Sequence, residues 1–362
     1  MKKIFFSLVA LAALAACSKT EVAYETPAEI GFAPVAKNAT KAAIEGTSFN
    51  TTQDLYVFAN AGLDLDSTPD GVQIDECTEP YLRNVKFKRA SVNDAYIGET
   101  PYYWPNVKSL SFAGYVDAGN ACGNYQENDE TKPCASVNDA MTTLTIANYT
   151  QPDSGNNDLM YFFTDATYNK SITGDVPVTM KHSCAWLVFN FVGDKVTGAS
   201  ETIGGSGEEA WKIVGVKVKN IAKTGTATLT AESATWVEGE QNVDFQVYGD
   251  ETGTALSYNA ANTIISSNKN VIVIPQPTTE LYIKYKYNVQ GNPNPIEEEV
   301  TVSLGYDSTK INEEWLPGVK YTYQVNIGAK QITIKPTSND WTNYDTDSPA
   351  DPNDVDPIEP TI

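Results

Sequence analysis

The chain has 362 residues, 41% of them hydrophobic, which is enough apolar material for one large core or two of ordinary size. Its 25 Lys and Arg stand against 46 Asp and Glu, a net charge of −21, and such a surface repels nucleic acid and anionic lipid headgroups alike. Nucleic-acid binding is therefore set aside, and two domains are the expectation from length.

The N-terminus reads MKKIFFSLVALAALAAC: two lysines, an apolar run from Ile4 to Ala16 and a small-residue ending, the layout of a secretory signal over residues 1–16. The run is shorter than the roughly 20 apolar residues of a spanning helix. Leu14-Ala15-Ala16-Cys17 resembles a bacterial lipobox, which implies cleavage before Cys17 and acylation of its thiol and new amino group. Acyl chains contribute about 0.8 kcal/mol per buried methylene, so a multiply acylated cysteine holds a protein on a membrane without a spanning segment.

From residue 50 onward the pattern is β. Short runs rich in Val, Ile, Tyr, Phe and Thr occur at 54–59, 109–115, 143–147, 159–163, 185–192 and 212–219, and again at 270–275, 281–287, 299–304, 321–327 and 331–335. Gly, Asn, Asp and Pro separate them. The best helical candidate, STKINEEWL at 308–316, gives barely two turns before Pro317-Gly318 ends it. So many short strands predict an all-β chain of two tandem sandwiches. Their cores are expected to include Trp186, Val188, Phe191, Tyr321, Tyr323 and Val325. The polar stretch Asn169–Val178 marks the boundary, giving domains at 42–174 and 175–342. Residues 343–362 form a tail with six acids, four prolines and no Lys or Arg, a composition that suits an extended chain.

A search for chemistry finds no active site, cofactor site or metal site. Apart from Cys17 there are four cysteines, Cys77, Cys122, Cys134 and Cys184, which an oxidising compartment allows to pair in three ways. Cys122–Cys134 closes the shortest loop, and Cys184, in an apolar run, also reads as a buried free thiol. His182 is the only histidine, so any triad must pass through it; at the start of an apolar strand it reads as a structural imidazole bonded to backbone. Asp66, Asp70 and Gly71 fall at positions of a calcium loop, but Cys77 stands where its bidentate Glu belongs. Tyr102, Tyr103 and Trp104 concentrate aromatic surface, either as core and edge packing or as a platform on which a sugar stacks.

Taken in order, the lipobox at Cys17, TKAAIEGTSF followed by DLYVFA, YYWPNVKSLSFAGYV, VTMKHSCAWLVFNF, and WLPGVKYTYQVNI with ITIKPTSNDW resemble the fimbrillin family of type V pilins. The resemblance implies two transthyretin-like β-sandwiches, no enzymatic activity, and export as a lipoprotein to the outer membrane. It further implies polymerisation with other pilin subunits by strand exchange, after a trypsin-like protease has cut. A sandwich lacking one strand exposes an apolar groove that an extended segment fills by β-addition. In the pro-segment 17–41, AEIGFAPV offers such a strand, with Ile30 and Phe32 on one face. The basic residue at the family's cut site corresponds to Lys41, followed by Ala42. A donor segment belongs near the C-terminus, where Val355, Ile358 and Ile362 are the available pocket fillers. Pro357 and Pro360 lack the N–H groups that a central strand needs, which points toward a tip or accessory subunit. The reading from another class is an outer-membrane surface lipoprotein that binds glycans through Tyr102, Tyr103 and Trp104.

Overall fold

The computed structural model describes residues 28–34, 54–61, 81–90, 94–104, 109–117, 135–151, 158–167, 175–193, 211–239, 242–256, 263–264, 271–287, 294–305, 314–328 and 332–340. Within them the chain is all β, with no helix. The first half runs β1 (Gly31–Pro34), β2 (Leu55–Ala61), β3 (Leu82–Lys88), β4 (Tyr96–Gly98), β5 (Ser109–Asp117), β6 (Ala135–Val137), β7 (Thr143–Thr150), β8 (Leu159–Thr167), β9 (Val176–Val178) and β10 (Lys181–His182). The second half runs β11 (Ala185–Gly193), β12 (Trp211–Ala222), β13 (Thr224–Thr230), β14 (Ala234–Glu238), β15 (Asn242–Ala255), β16 (Thr263–Ile264), β17 (Val271–Val273), β18 (Glu280–Tyr287), β19 (Ile296–Ser303), β20 (Val319–Ile327) and β21 (Ile332–Asp340).

Alternation sets the faces. In β20 the buried residues Tyr321, Tyr323, Val325 and Ile327 alternate with half-buried ones, as the two-residue period of a strand requires. β11 is different: Leu187, Phe189 and Phe191 belong to one core cluster, while Trp186, with Val188 packed beside it, belongs to another. A strand buried on both faces reads as an unbroken apolar run, and β11 lies parallel to β20, with Leu187 opposite Tyr321 and Phe191 opposite Val325. Asparagines absorb the irregularities elsewhere. Asn84, Asn148 and Asn220 all have positive φ (51°, 55° and 55°). Each sits where the strand register shifts, between β2 and β3, β7 and β13, and β12 and β15 respectively. A bulge inserts one extra residue, and asparagine tolerates the left-handed region better than a branched side chain.

Four sheets result. The order β10-β8-β5-β2-β3-β4-β1-β9 makes an eight-stranded sheet; β14-β13-β7-β6 makes a four-stranded one; β16-β11-β20-β21, with β17 also on β11, makes a third; and β15-β12-β18-β19 makes the fourth. The last two enclose one core, built around Trp211, Trp315, Tyr321 and Tyr323, and this is a β-sandwich. The eight-stranded sheet curls upon itself. Phe32 of β1 meets Phe162 of β8 at a centroid separation of 6.0 Å although four strands intervene in the sheet order. A middle cluster joins residues of β5, β7, β8 and β13 to Cys184, Trp186 and Ile272.

Backbone pairing crosses the sequence-predicted division at residues 174 and 175. β9 and β10 belong to the eight-stranded sheet, and the β13–β14 hairpin pairs with β7. The expected helix at 308–316 is not formed in its described part: Glu314 bridges Pro277, and the Trp315 N–H donates to the Gln276 carbonyl at 2.8 Å. An indole that finds an apolar core and a Tyr323 hydroxyl for its own N–H (2.8 Å) outweighs two marginal helical turns. Residues 308–313 lie outside the described residues.

Candidate functional site

β1 is the feature that the sequence singles out and the fold places most tellingly. Ile30 and Phe32 have no solvent-exposed surface. The Phe32 ring stands edge-on to Phe87 (centroids 5.0 Å) and Phe112 (5.2 Å), at the centre of a cluster that includes Leu55, Val57 and Val176. Because Ile30 and Phe32 are two apart, both enter the core from one face, and Gly31 between them lies on the other.

The strand is held on both edges. On one side it runs antiparallel to β4, with Gly31 opposite Ile97 and Phe32 opposite Tyr96. That ladder continues backward through a bridge between Glu29 and Tyr103, a bond from the Ile30 N–H to the Tyr102 carbonyl (2.7 Å), and one from the Trp104 N–H to the Ala28 carbonyl (2.9 Å). On the other side it runs parallel to β9, with Phe32 opposite Val176 and Pro34 opposite Val178. Among the described residues β9 pairs only with β1. β1 is thus an interior strand whose removal opens a slot between two edges, although only residues 35–54 join it to β2.

On the flanking strand β4, the Tyr96 ring opposite Phe32 has the Arg89 guanidinium 4.8 Å from its centroid. Burial pushes the Tyr96 hydroxyl up to about 12, against the opposing pull of the Arg89 charge, so it stays a neutral phenol at any ordinary pH. The outer face is neither closed nor uniformly polar. Ile97 is 53% exposed and Tyr103 43% exposed, and the Tyr81 hydroxyl donates to the Tyr103 carbonyl.

The aromatic triplet is part of the same construction. Tyr102 packs against Phe87 (5.8 Å) and Trp104 stands edge-on to Phe112 (6.0 Å), so two of the three rings are turned to the core and their backbone is engaged with Ala28 to Ile30. They do not form a three-ring platform. His182 finds a carboxylate: its Nδ1 lies 2.5 Å from Asp158 Oδ2, because β10 pairs with the start of β8 and brings the two side chains together in a nearly water-free place. Cys184 is a free, buried thiol, pushed up to about 12 by burial and then by the Asp158 carboxylate. A neutral thiol beside a histidine already held by a carboxylate is not an activated nucleophile. Cys17, Lys41, Ala42, Cys122, Cys134, Val355, Ile358 and Ile362 lie outside the described residues.

Sequence reasoning missed the other half of the site. Val176 and Val178, which close β1 on its parallel side, fall in the stretch assigned to a domain boundary, and Tyr96 sits in a three-residue strand too short to show a period. The only available signal for β9 was the alternation of two valines around Pro177.

Comparison with known proteins is consistent with this geometry. A family model described as fimbrillin-like matches residues 40–341, and a prokaryotic membrane lipoprotein lipid attachment site matches residues 1–18. No curated protein matches the chain. A crystal structure of a fimbrial protein from Bacteroides vulgatus is similar over 87% of this chain and 99% of its own, at 14% identity and a TM-score of 0.57. A candidate cell adhesion protein from Bacteroides uniformis aligns over the same shares at 16% identity and a TM-score of 0.46.

Proposed function

Because the chain belongs to the fimbrillin-like family, we propose that it is a structural subunit of a bacterial surface fimbria that supports cell adhesion, assembled by strand exchange after proteolysis. The precursor is anchored in the outer membrane through acylated Cys17, and the lipid attachment match over residues 1–18 supports that anchor. A trypsin-like protease then cuts between Lys41 and Ala42, in the segment between β1 and β2. The two ends of the molecule act as two transthyretin-like domains, and other pilin subunits are the partners.

The observation that carries this reading is the place of β1. A strand drawn from the pro-segment fills an interior position one strand in from the edge of a sheet, buries two apolar side chains completely, and is tied to β2 by one stretch of chain. Until that stretch is cut, β1 competes from an effective concentration on the order of millimolar, which suppresses entry of any other strand. Once it is cut, β1 can leave and a neighbour's extended segment can take the slot by β-addition.

Surface material run unboiled on a denaturing gel tests this. The expected result is a ladder of stable multimers whose N-terminal sequence begins at Ala42. A single lipidated monomer that still carries Cys17 through Lys41 overturns it, and retardation of that monomer by immobilised polysaccharide would transfer the function to glycan binding.

A further inference from the structure

We propose that Gly31 and Asp175 set which segment the β1 slot accepts: a strand of a second protein, running in the direction of β1, with an aliphatic residue, a glycine and an aromatic residue in succession. Residues 343–362 of the same chain are rejected. This rests on the strand-exchange reading and names the partner of that site.

Phe32 and Val176 are paired in parallel, so Gly31 and Asp175, the residues before them, are neighbours on the outer face. The Asp175 side chain folds over the space that Gly31 leaves. A β-carbon at Gly31 would run into the Asp175 carboxylate, whose Cγ would be 3.0 Å away, with the Tyr96 carbonyl oxygen at 3.4 Å on the other side. A larger residue there displaces the carboxylate, and an acidic one also meets it with like charge, which is unfavourable between directly adjacent strand positions. The inner pockets take an aliphatic chain at position 30 and a ring at position 32, the latter lined by Phe87, Phe112 and Phe162. The backbone adds a further rule, since the residue at position 30 must donate its N–H to the Tyr102 carbonyl.

Every apolar pair two residues apart in the tail fails at least one of these tests. The pairs are Ala350 with Pro352, Val355 with Pro357, Ile358 with Pro360, and Pro360 with Ile362. The first three put Asp351, Asp356 or Glu359 against Asp175. The fourth puts Pro360, which has no N–H, at the position that must donate to Tyr102. Copies of this chain therefore do not join to one another through residues 343–362.

The test has two arms. In the full chain, Gly31→Asp and Gly31→Lys are compared by hydrogen exchange of the peptides that carry Phe32 and Val176. Exchange is expected to be roughly fivefold faster in the Asp variant than in the Lys variant, with the order reversed when Asp175→Lys is added. Equal exchange in the two variants, or an order that Asp175→Lys leaves unchanged, overturns the role of Asp175. In the second arm, the full chain carrying an inserted site for a specific protease within residues 43–53 is nicked and offered labelled peptides AEIGFAPV, AEIDFAPV and NDVDPIEPTI. Uptake of AEIGFAPV several-fold above that of AEIDFAPV, with NDVDPIEPTI excluded, supports the proposal. Equal uptake of all three overturns the selectivity while leaving strand exchange standing, and uptake of none overturns both.

Discussion

Truncating Phe32 to alanine isolates the contribution of β1. The ring has no exposed surface and touches three other rings of the cluster, so the loss falls in the range of about 3–5 kcal/mol found for buried aromatic truncations. The cost should not spread through the molecule. β1 contributes nothing to the core of the C-terminal sandwich or to the middle cluster, so the weakened step is local opening of the slot. At 1.36 kcal/mol per decade the open fraction rises by roughly two to nearly four orders of magnitude. Hydrogen exchange followed by mass spectrometry reads this directly. Peptides covering 28–34, 94–98 and 175–178 should exchange faster by about that factor, and the peptide covering Val319–Ile327 should not change. β9 is expected to open together with β1, since among the described residues β1 is its only partner. Protection at wild-type level in residues 175–178, or loss of protection in Val319–Ile327 of equal size, would refute the reasoning that β1 is a separable plug.

Substituting Cys17→Ala should abolish incorporation of labelled fatty acid and leave the chain unanchored; continued labelling would place the lipid elsewhere. Lys41→Ala should preserve folding, measured by far-ultraviolet circular dichroism, and lipidation, yet block multimers on the unboiled gel, and normal assembly would exclude that cut. Burial holds the Cys184 thiol in its neutral form, with its pKa pushed up to about 12, and keeps it from solvent. Iodoacetamide at pH 8 should therefore modify Cys184 far more slowly in native protein than in urea, read by peptide mass mapping, and equal rates would contradict the burial argument.

The all-β class was legible because strands such as Val319–Ile327 and Glu280–Tyr287 alternate cleanly and β11 is apolar from Ala185 through Phe189. What period and composition cannot carry is which strand meets which. The β13 run, TGTATLT, offers little hydrophobic contrast, yet its Ala227 and Leu229 are fully buried because they pack into the cluster with Trp186 and Ile272. Three-residue strands such as Tyr96–Gly98 and Val176–Val178 span barely one period, so they read as punctuation. The candidate site divides in the same way. Ile30 and Phe32 announce a strand by spacing alone, but their partners come from residues more than sixty and more than a hundred positions away, and only tertiary folding joins them. Asp158 could not have been matched to His182 for the same reason: the pair is made by the register of β10 on β8.

The separation of cores would make the proposed exchange of β1 physically workable. Were β1 part of the middle cluster or of the C-terminal sandwich, its departure would expose residues on which the whole molecule depends, and the chain would unfold or aggregate before a partner arrived. Instead its two buried side chains enter only the cluster inside the eight-stranded sheet. The cost of leaving includes about 1.5–3 kcal/mol of transfer free energy for each of Ile30 and Phe32, before the term for the cavity left behind, plus the backbone bonds of a four-residue strand and the loosening of β9. Such a cost is large enough to keep the slot shut against an unlinked competitor while β1 remains tethered. It is also small enough for a better-fitting segment to repay in full once the tether is cut. The selection then falls to the slot itself. In the proposed exchange an incoming strand would gain the same two pockets as β1, so right and wrong partners would be separated by the outer position beside Asp175 and by the N–H offered to the Tyr102 carbonyl.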